Sequence, residues 1–172
     1  MKKKKLITLI IIGVLALGFV SYKFISSGYF SIDHEGINKI YDDVTFEKVV
    51  DGDTAYFTIN GKSTKCRFLA VDTPELKTDE PYAQEAKQYS EDALKNAKKI
   101  RLATDSNSDE YDKYDRLLVW VYVDEELLQN DLIKEGLAEV KYIYGDYKYV
   151  DELYKLQDVA KSQGIGIWSI DE

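Results

Sequence analysis

The chain has 172 residues, 45% hydrophobic and 31% charged, with a formal net charge of −8; this suits one globular domain with a single core and excludes a disordered or low-complexity chain. One cysteine, Cys66, excludes an internal disulfide, and one histidine, His34, upstream of the patterned part of the chain, excludes His-ligated zinc, a histidine general base and a phosphohistidine intermediate. The five lysines before Asp33 face no acid, so the remainder carries 18 basic against 31 acidic side chains, and any anion-binding role must rest on a local basic site.

In chain order, Lys2 to Lys5 form a basic cluster ahead of a charge-free stretch at 6–20. This reads as a targeting segment at 1–28, a signal peptide or membrane anchor, whose lysines hold the N-terminus in the cytoplasm and place the domain outside. Residues 29–43 have no clear period and read as linker. Alternation at 44–50 predicts the first strand. A hairpin follows: 55–59 and 63–71 are strands, and Asn60-Gly61 is the dipeptide that accepts positive φ at both turn positions. On the return strand Thr64, Cys66, Phe68 and Ala70 take one face, and Lys65, Arg67, Leu69 and Val71 the other. Cys66, in mid-strand, reads as a buried, inert thiol.

Beyond the hairpin, 76–81 is a short polar loop. A helix at 83–97 carries a stripe of Ala83, Ala86, Ser90, Ala93, Leu94 and Ala97. A strand at 99–103 leads into an acidic loop at 105–115. There Asp105, Asn107 and Asp109 alternate as in an EF-hand, but the loop lacks the required glycine and terminal glutamate. Residues 117–123 are a strand ending in a turn at Asp124-Glu125. A helix at 127–135 closes at Gly136, and 140–144 alternates tyrosines with aliphatics on a strand. The last helix, 150–163, presents Val150, Leu153, Leu156, Val159 and Ala160, ends at Gly164, and leaves Trp168 to pack under the sheet. These are mixed strands and helices with no internal repeat.

The hairpin brings Asp53 and Asp72 to one edge, with Glu75 close behind a rigid Pro74. Singly, an Asp-Gly before a strand or an Asp-Thr-Pro after one is ordinary loop chemistry. Together the three carboxylates would repel unless a hard cation compensated them, and carboxylate oxygens are what calcium prefers. Arg67 beside them points to an anionic substrate, since a guanidinium grips phosphate in a fork.

The pieces VVDGDT (49–54), CRFLAVDTPE (66–75), DKYDR (112–116), GLAEVKYIY (136–144) and GIW (166–168) occur in an order and spacing that resembles the staphylococcal nuclease (thermonuclease) family, over roughly 44–169. The resemblance implies an α+β, mainly β domain at 44–170: a five-stranded OB-type barrel with about three packed helices. It implies a calcium-dependent nuclease, acting on single-stranded DNA and RNA and leaving 3′-phosphates. It assigns Asp53, Asp72 and the Thr73 carbonyl to calcium, Arg67 and Arg116 to the phosphate, and Glu75 to the general base. Lys113 and Tyr114 are assigned to a terminal phosphate, and Tyr142 and Tyr144 to the nucleotide pocket. The expected protein is an extracytoplasmic monomer, anchored by its leader or secreted. It departs from the family at Asp115, where glycine is usual before the second arginine, and in the short loop 76–81. The alternatives are an ion pair of Arg116 with Asp112 or Asp115, a core role for the tyrosines, and a catalytically silent module that binds nucleic acid or protein at the membrane. The acidic body predicts weak, salt-sensitive substrate binding.

Overall fold

The computed structural model describes residues 35–170; the targeting segment and His34 lie outside the described residues. Among the described residues no helix is long and apolar enough to cross a membrane.

The sheet grows outward from the hairpin. Strand β3 (Thr54–Ile59) returns as β4 (Lys62–Phe68) in unbroken register from Thr54↔Arg67 to Ile59↔Lys62. Asn60 and Gly61 turn it at φ 51° and 78°, the mirror-image turn that matches strand twist. On one flank β2 (Val44–Asp51) pairs antiparallel with β3, with bulges at Phe46/Lys48 and Val49/Asp51. On the other, β7 (Leu117–Val123) runs parallel to β4, matching Cys66, Arg67 and Phe68 with Leu117, Leu118 and Val119. Then β6 (Ile100–Asp105) pairs with β7, and β1 (Ile37–Tyr41) with β6. The order is β1-β6-β7-β4-β3-β2, and β8 (Glu126–Leu127) adds to β7. The fold is thus α+β and mainly β, an OB-type sheet with three helices and open edges at β1 and β2. Phe57, Phe68, Leu102, Leu117 and Val119 fill its interior.

Three helices close the sheet. Helix α1 (Ala83–Asn96) buries Ala83, Ala86, Ser90 and Leu94, as the small-residue stripe predicts. The Ser90 hydroxyl donates to the Gly52 carbonyl at 2.6 Å. A Cβ at Gly52 would stand 2.7 Å from Thr73 Cγ2 and 2.8 Å from Ala86 Cβ, so only glycine admits this approach. Helix α2 (Leu128–Lys134) buries Gln129, whose amide donates to the Val119 carbonyl (3.0 Å) and accepts from Val121 N–H (3.2 Å). Helix α3 (Val150–Gln163) docks beside β9 (Glu139–Val140), where Gln157 Oε1 accepts from Val140 N–H at 2.7 Å.

Several expectations change. The stretch read as linker contains β1, whose polar Asn38 and Lys39 conceal an edge-strand pattern. The strand expected over 63–71 stops at Phe68: Ala70 takes φ 59°, and Val71–Asp72 becomes a separate strand, β5, paired with β9. Leu69, Ala70 and Val71 are therefore all buried instead of alternating. The strand expected over 140–144 ends at Val140, and Tyr142 takes φ 57°. Helix α3 buries Leu153, Gln157 and Ala160 and leaves Val159 exposed, because the Gln157 amide, not another apolar group, serves Val140. Trp168, in the short 3₁₀ turn Gly166–Ser169, is half-buried and meets Lys161 of α3, 4.5 Å from the ring centroid.

That turn seats on Gly136, which has φ 60° and whose carbonyl accepts from Ile167 N–H at 2.8 Å. A Cβ at Gly136 would collide with the Ile165 carbonyl. Gly136→Ala should cost at least about 2 kcal/mol from left-handed backbone and steric conflict together, read as a lower urea midpoint at unchanged m-value.

Candidate active site

Arg67 has its side chain 9% exposed at the end of β4 and joins three backbone segments. Its Nη1 donates to the Val71 carbonyl at 2.7 Å and the Phe68 carbonyl at 3.1 Å, closing the turn through Ala70. The same nitrogen lies 3.1 Å from Asp53 Oδ2, and Nη2 donates to Asp72 Oδ1 at 3.1 Å. The guanidinium therefore sits between the two carboxylates that the hairpin was expected to bring together. Its carbon also lies 5.6 Å from the centroid of Tyr142, within cation–π range.

Asp53 is buried and fully engaged. Oδ2 accepts from Thr73 N–H at 2.8 Å and Thr73 Oγ1 at 3.1 Å, and Oδ1 accepts from Thr54 Oγ1 at 3.0 Å. Burial pushes its carboxyl up to about 7, against the pull of Arg67 and the Thr73 amide, and the Asp51 carboxylate beside it pushes the same way. Asp51 carries a second signal: its Oδ1 is buried with no hydrogen-bond partner. Sequence reasoning passed over Asp51, although the Asp-Gly-Asp spacing announces it. It also passed over Lys141. The Lys141 ammonium donates to Asp72 Oδ2 at 3.0 Å and Glu139 Oε1 at 2.7 Å, and these bonds hold its pKa above the ordinary lysine value.

A second cluster adjoins the first. The parallel pairing sets Arg67 beside Leu118, and Arg116 lies two residues before Leu118, in the segment that leads into β7. Arg116 Nε donates to Asp112 Oδ2 at 2.6 Å, and Asp112 Oδ1 accepts from the backbone N–H of Arg116 (3.0 Å) and Tyr114 (2.9 Å). Burial would raise the Asp112 carboxyl, but these donors outweigh it and hold it below its usual value. The ion pair with Asp112 is thus real, and Asp115 takes no part in it. Asp115 adopts φ 58°, the left-handed conformation that glycine takes without strain and aspartate tolerates. Tyr114, 66% exposed, lies between Lys113 (5.0 Å) and Arg116 (5.5 Å).

The remaining expected residues lie at the margin. Glu75 is exposed on the loop after β5. Its backbone N–H donates to Glu80 Oε2 at 2.8 Å and its carbonyl accepts from Thr78 Oγ1 at 3.3 Å, leaving the side chain directed outward. Glu75 does not join the cluster, and no group of three or more His, Cys, Asp or Glu side chains is arranged as a metal cage among the described residues. Tyr142 is 50% and Tyr144 83% exposed, so neither is core. Cys66 is buried, its thiol pushed up to about 12 by desolvation, and is chemically inert here. The acidic loop is structural: Asp105 is buried and accepts from Trp120 Nε1, Asn107 N–H and Lys148 N–H.

An OB-type domain with two arginines and a nest of carboxylates at one sheet end defines an anion-processing class of site. The profile of the family described as Staphylococcal nuclease homologue matches residues 65–170, and the chain belongs to that family. It is 43% identical over 132 residues to the SPbeta prophage-derived endonuclease YokF of Bacillus subtilis, covering 74% of this chain and 44% of that protein. It is 40% identical over 141 residues to endonuclease YncB of the same organism, covering 79% and 66%. It is 35% identical over 173 residues to the thermonuclease of Staphylococcus hyicus, covering 96% and 99%. The chain thus spans less than two thirds of the length of the two Bacillus relatives.

The burial of Asp53 has a sign that can be tested. With its folded pKa near 7 and an unfolded value near 3.9, the folded protein keeps a proton across that interval that the unfolded chain releases. Stability should therefore fall as pH rises from about 4 to about 7, and Asp53→Asn should remove that loss. In chelator, the difference in urea midpoint between variant and wild type should grow with pH across the window; a constant difference would contradict the assignment.

Proposed function

We propose that the chain is a calcium-dependent nuclease that hydrolyses phosphodiester bonds of single-stranded DNA and RNA outside the cytoplasm. The observation that carries this reading is the Arg67 fork between Asp53 and Asp72, beside an Asp51 oxygen that is buried and unpaired. The kinship with named endonucleases supports the reaction class.

The donor types suit a hard divalent cation, although Arg67 stands between Asp53 and Asp72 and, among the described residues, the carboxylates are not gathered into a cage. Asp51, Asp53, Asp72 and the Thr73 carbonyl offer oxygen only, the preference of calcium. The buried Asp51 oxygen without a hydrogen-bond partner is the feature a bound cation would satisfy. When bound, such a cation would polarise a phosphate oxygen and acidify a water molecule.

The protein's own groups supply the rest. With Asp53 and Asp72 compensated, the Arg67 fork can exchange a carboxylate for a non-bridging phosphate oxygen. Arg116 offers its Nη groups from the neighbouring strand while Asp112 holds Nε. Both guanidiniums favour the more highly charged five-coordinate phosphorus over the ground state, which lowers the barrier. Glu75, exposed on the loop after β5, would have to turn toward the bound phosphate to take the proton of the attacking water as the water oxygen bonds to phosphorus and the leaving alkoxide departs. Release of the 5′ oxygen, leaving a 3′-phosphate, is the outcome expected from the family resemblance. Exposed Tyr142 and Tyr144 offer faces for bases, with little selectivity among them.

Incubating the full chain with single-stranded DNA in calcium should give cleavage that chelator abolishes. Glu75→Gln should lower the rate by about 10²–10⁴-fold. A folded wild-type protein that binds but does not cleave in calcium would move the assignment to the silent binding module.

Lys141 supplies an independent check of the cation site, because it competes for Asp72. Lys141→Met should tighten calcium binding, measured calorimetrically, by about tenfold, the effect of removing one positive charge about 6 Å from a divalent cation in a water-like dielectric, since Lys141 is half exposed. Unchanged affinity would place the cation away from Asp72.

A further inference from the structure

One basic feature lies apart from the acid–arginine cluster, on the outer face of the three-stranded β2-β3-β4 segment. Lys48, Tyr56 and Lys65 are direct cross-strand neighbours, Lys48↔Tyr56 and Tyr56↔Lys65. The two ammonium groups flank one ring, at 4.9 Å and 6.0 Å from its centroid. Their strand neighbours Ala55, Phe57 and Cys66 are buried, so the row faces solvent. Lys48 is exposed, and Tyr56 and Lys65 are half-buried. Among the described residues neither lysine is ion-paired, whereas Lys95, Lys99, Lys134 and Lys141 each meet a carboxylate. In a chain of net charge −8, two cations outside ion-pair distance of any carboxylate among the described residues, around one aromatic ring, make a local basic platform.

The platform is in line with the site. Lys65 and Arg67 lie two residues apart on one side of a regular strand, roughly 7 Å along β4, comparable to the step between phosphates of an extended single strand. Beyond it the chemistry reverses. Glu47 accepts from Thr58 Oγ1 at 2.7 Å and Ser63 Oγ at 2.8 Å, and these bonds lower its pKa and keep it anionic. A phosphate moving along the face from Arg67 thus meets Lys65 and Lys48 first and a fixed negative charge next.

We propose that Lys48, Tyr56 and Lys65 form a subsite for the nucleic-acid strand running out of the active site. The lysines take the phosphate beyond the one at Arg67, Tyr56 stacks on its base, and Glu47 ends the subsite after one or two nucleotides. The ring is held between two cations before substrate arrives, so little ordering is lost on stacking. The placement rests on the nuclease reading, since it takes Arg67 as the position of the scissile phosphate.

The test uses the full chain and labelled oligothymidylates of increasing length. Binding is followed by anisotropy in chelator and cleavage in calcium. In the wild type, affinity should rise with length up to a few nucleotides and then level off. In the Lys48→Ala/Lys65→Ala variant the slope of log affinity against log salt should fall by about 0.7, the single-strand value for one lost phosphate contact, and the gain from lengthening should shrink. Lys48→Arg/Lys65→Arg should restore the slope, which separates charge from folding. Tyr56→Ala should weaken binding by about tenfold, the loss of one stacked base. An alanine variant with the wild-type slope and length dependence overturns the subsite even if cleavage is normal. A wild type that shows the slope and length dependence without cleaving supports the subsite and overturns the nuclease reading instead.

Discussion

A buried guanidinium between two carboxylates organises this molecule. Arg67 donates to the carbonyls of Phe68 and Val71 while meeting Asp53 and Asp72. Removing one partner of such a group leaves a buried charge uncompensated, at a cost of about 3–5 kcal/mol. The backbone therefore has one arrangement around it: β4 stops, Ala70 takes a left-handed conformation, and β5 swings away to pair with β9. The turn that ends the strand and the site that lies at its end are the same structure.

The arrangement also shows how an acidic protein can concentrate cations locally. Several of its lysines and arginines rest on aromatic faces: Arg67 and Lys141 on Tyr142, Arg116 and Lys113 on Tyr114, Lys48 and Lys65 on Tyr56. A cation so placed keeps its charge available while its position is restricted. The acids near them are either shared between cations, as Asp72 is by Arg67 and Lys141, or tied into backbone, as Asp112 is. Net charge is a poor guide to such a surface, because the field at the site is set by groups within about one Debye length.

Much of this was legible in the residue pattern. Asn60-Gly61 determines its hairpin, the small-residue stripe determines the buried face of α1, and Leu117–Val123 forms the strand its composition predicts. These features depend on neighbours within one turn or one strand. The errors share the opposite character. The break at Leu69-Ala70, the irregular path of Tyr142 and the burial of Gln157 each answer to a group distant in sequence: Arg67 reaching past its own strand, or Val140 needing an acceptor from α3. Local propensity contains no information about a partner supplied by another element.

The same division holds for the site. The candidate residues Asp53, Asp72, Arg67 and Arg116 were readable from the sequence, because chemistry depends on residue type and a hairpin is enough to bring Asp53 towards Asp72, whereas Asp51 was not singled out. Tertiary structure alone decided how they are used. It brought the start of β7, just after Arg116, beside β4 through a parallel pairing, buried Asp53 far enough to raise its proton affinity, left one oxygen of Asp51 without a partner, and set Lys141, 69 residues further along the chain, on Asp72. Burial and the distances between charges set these properties, and both are fixed only when separate elements have packed.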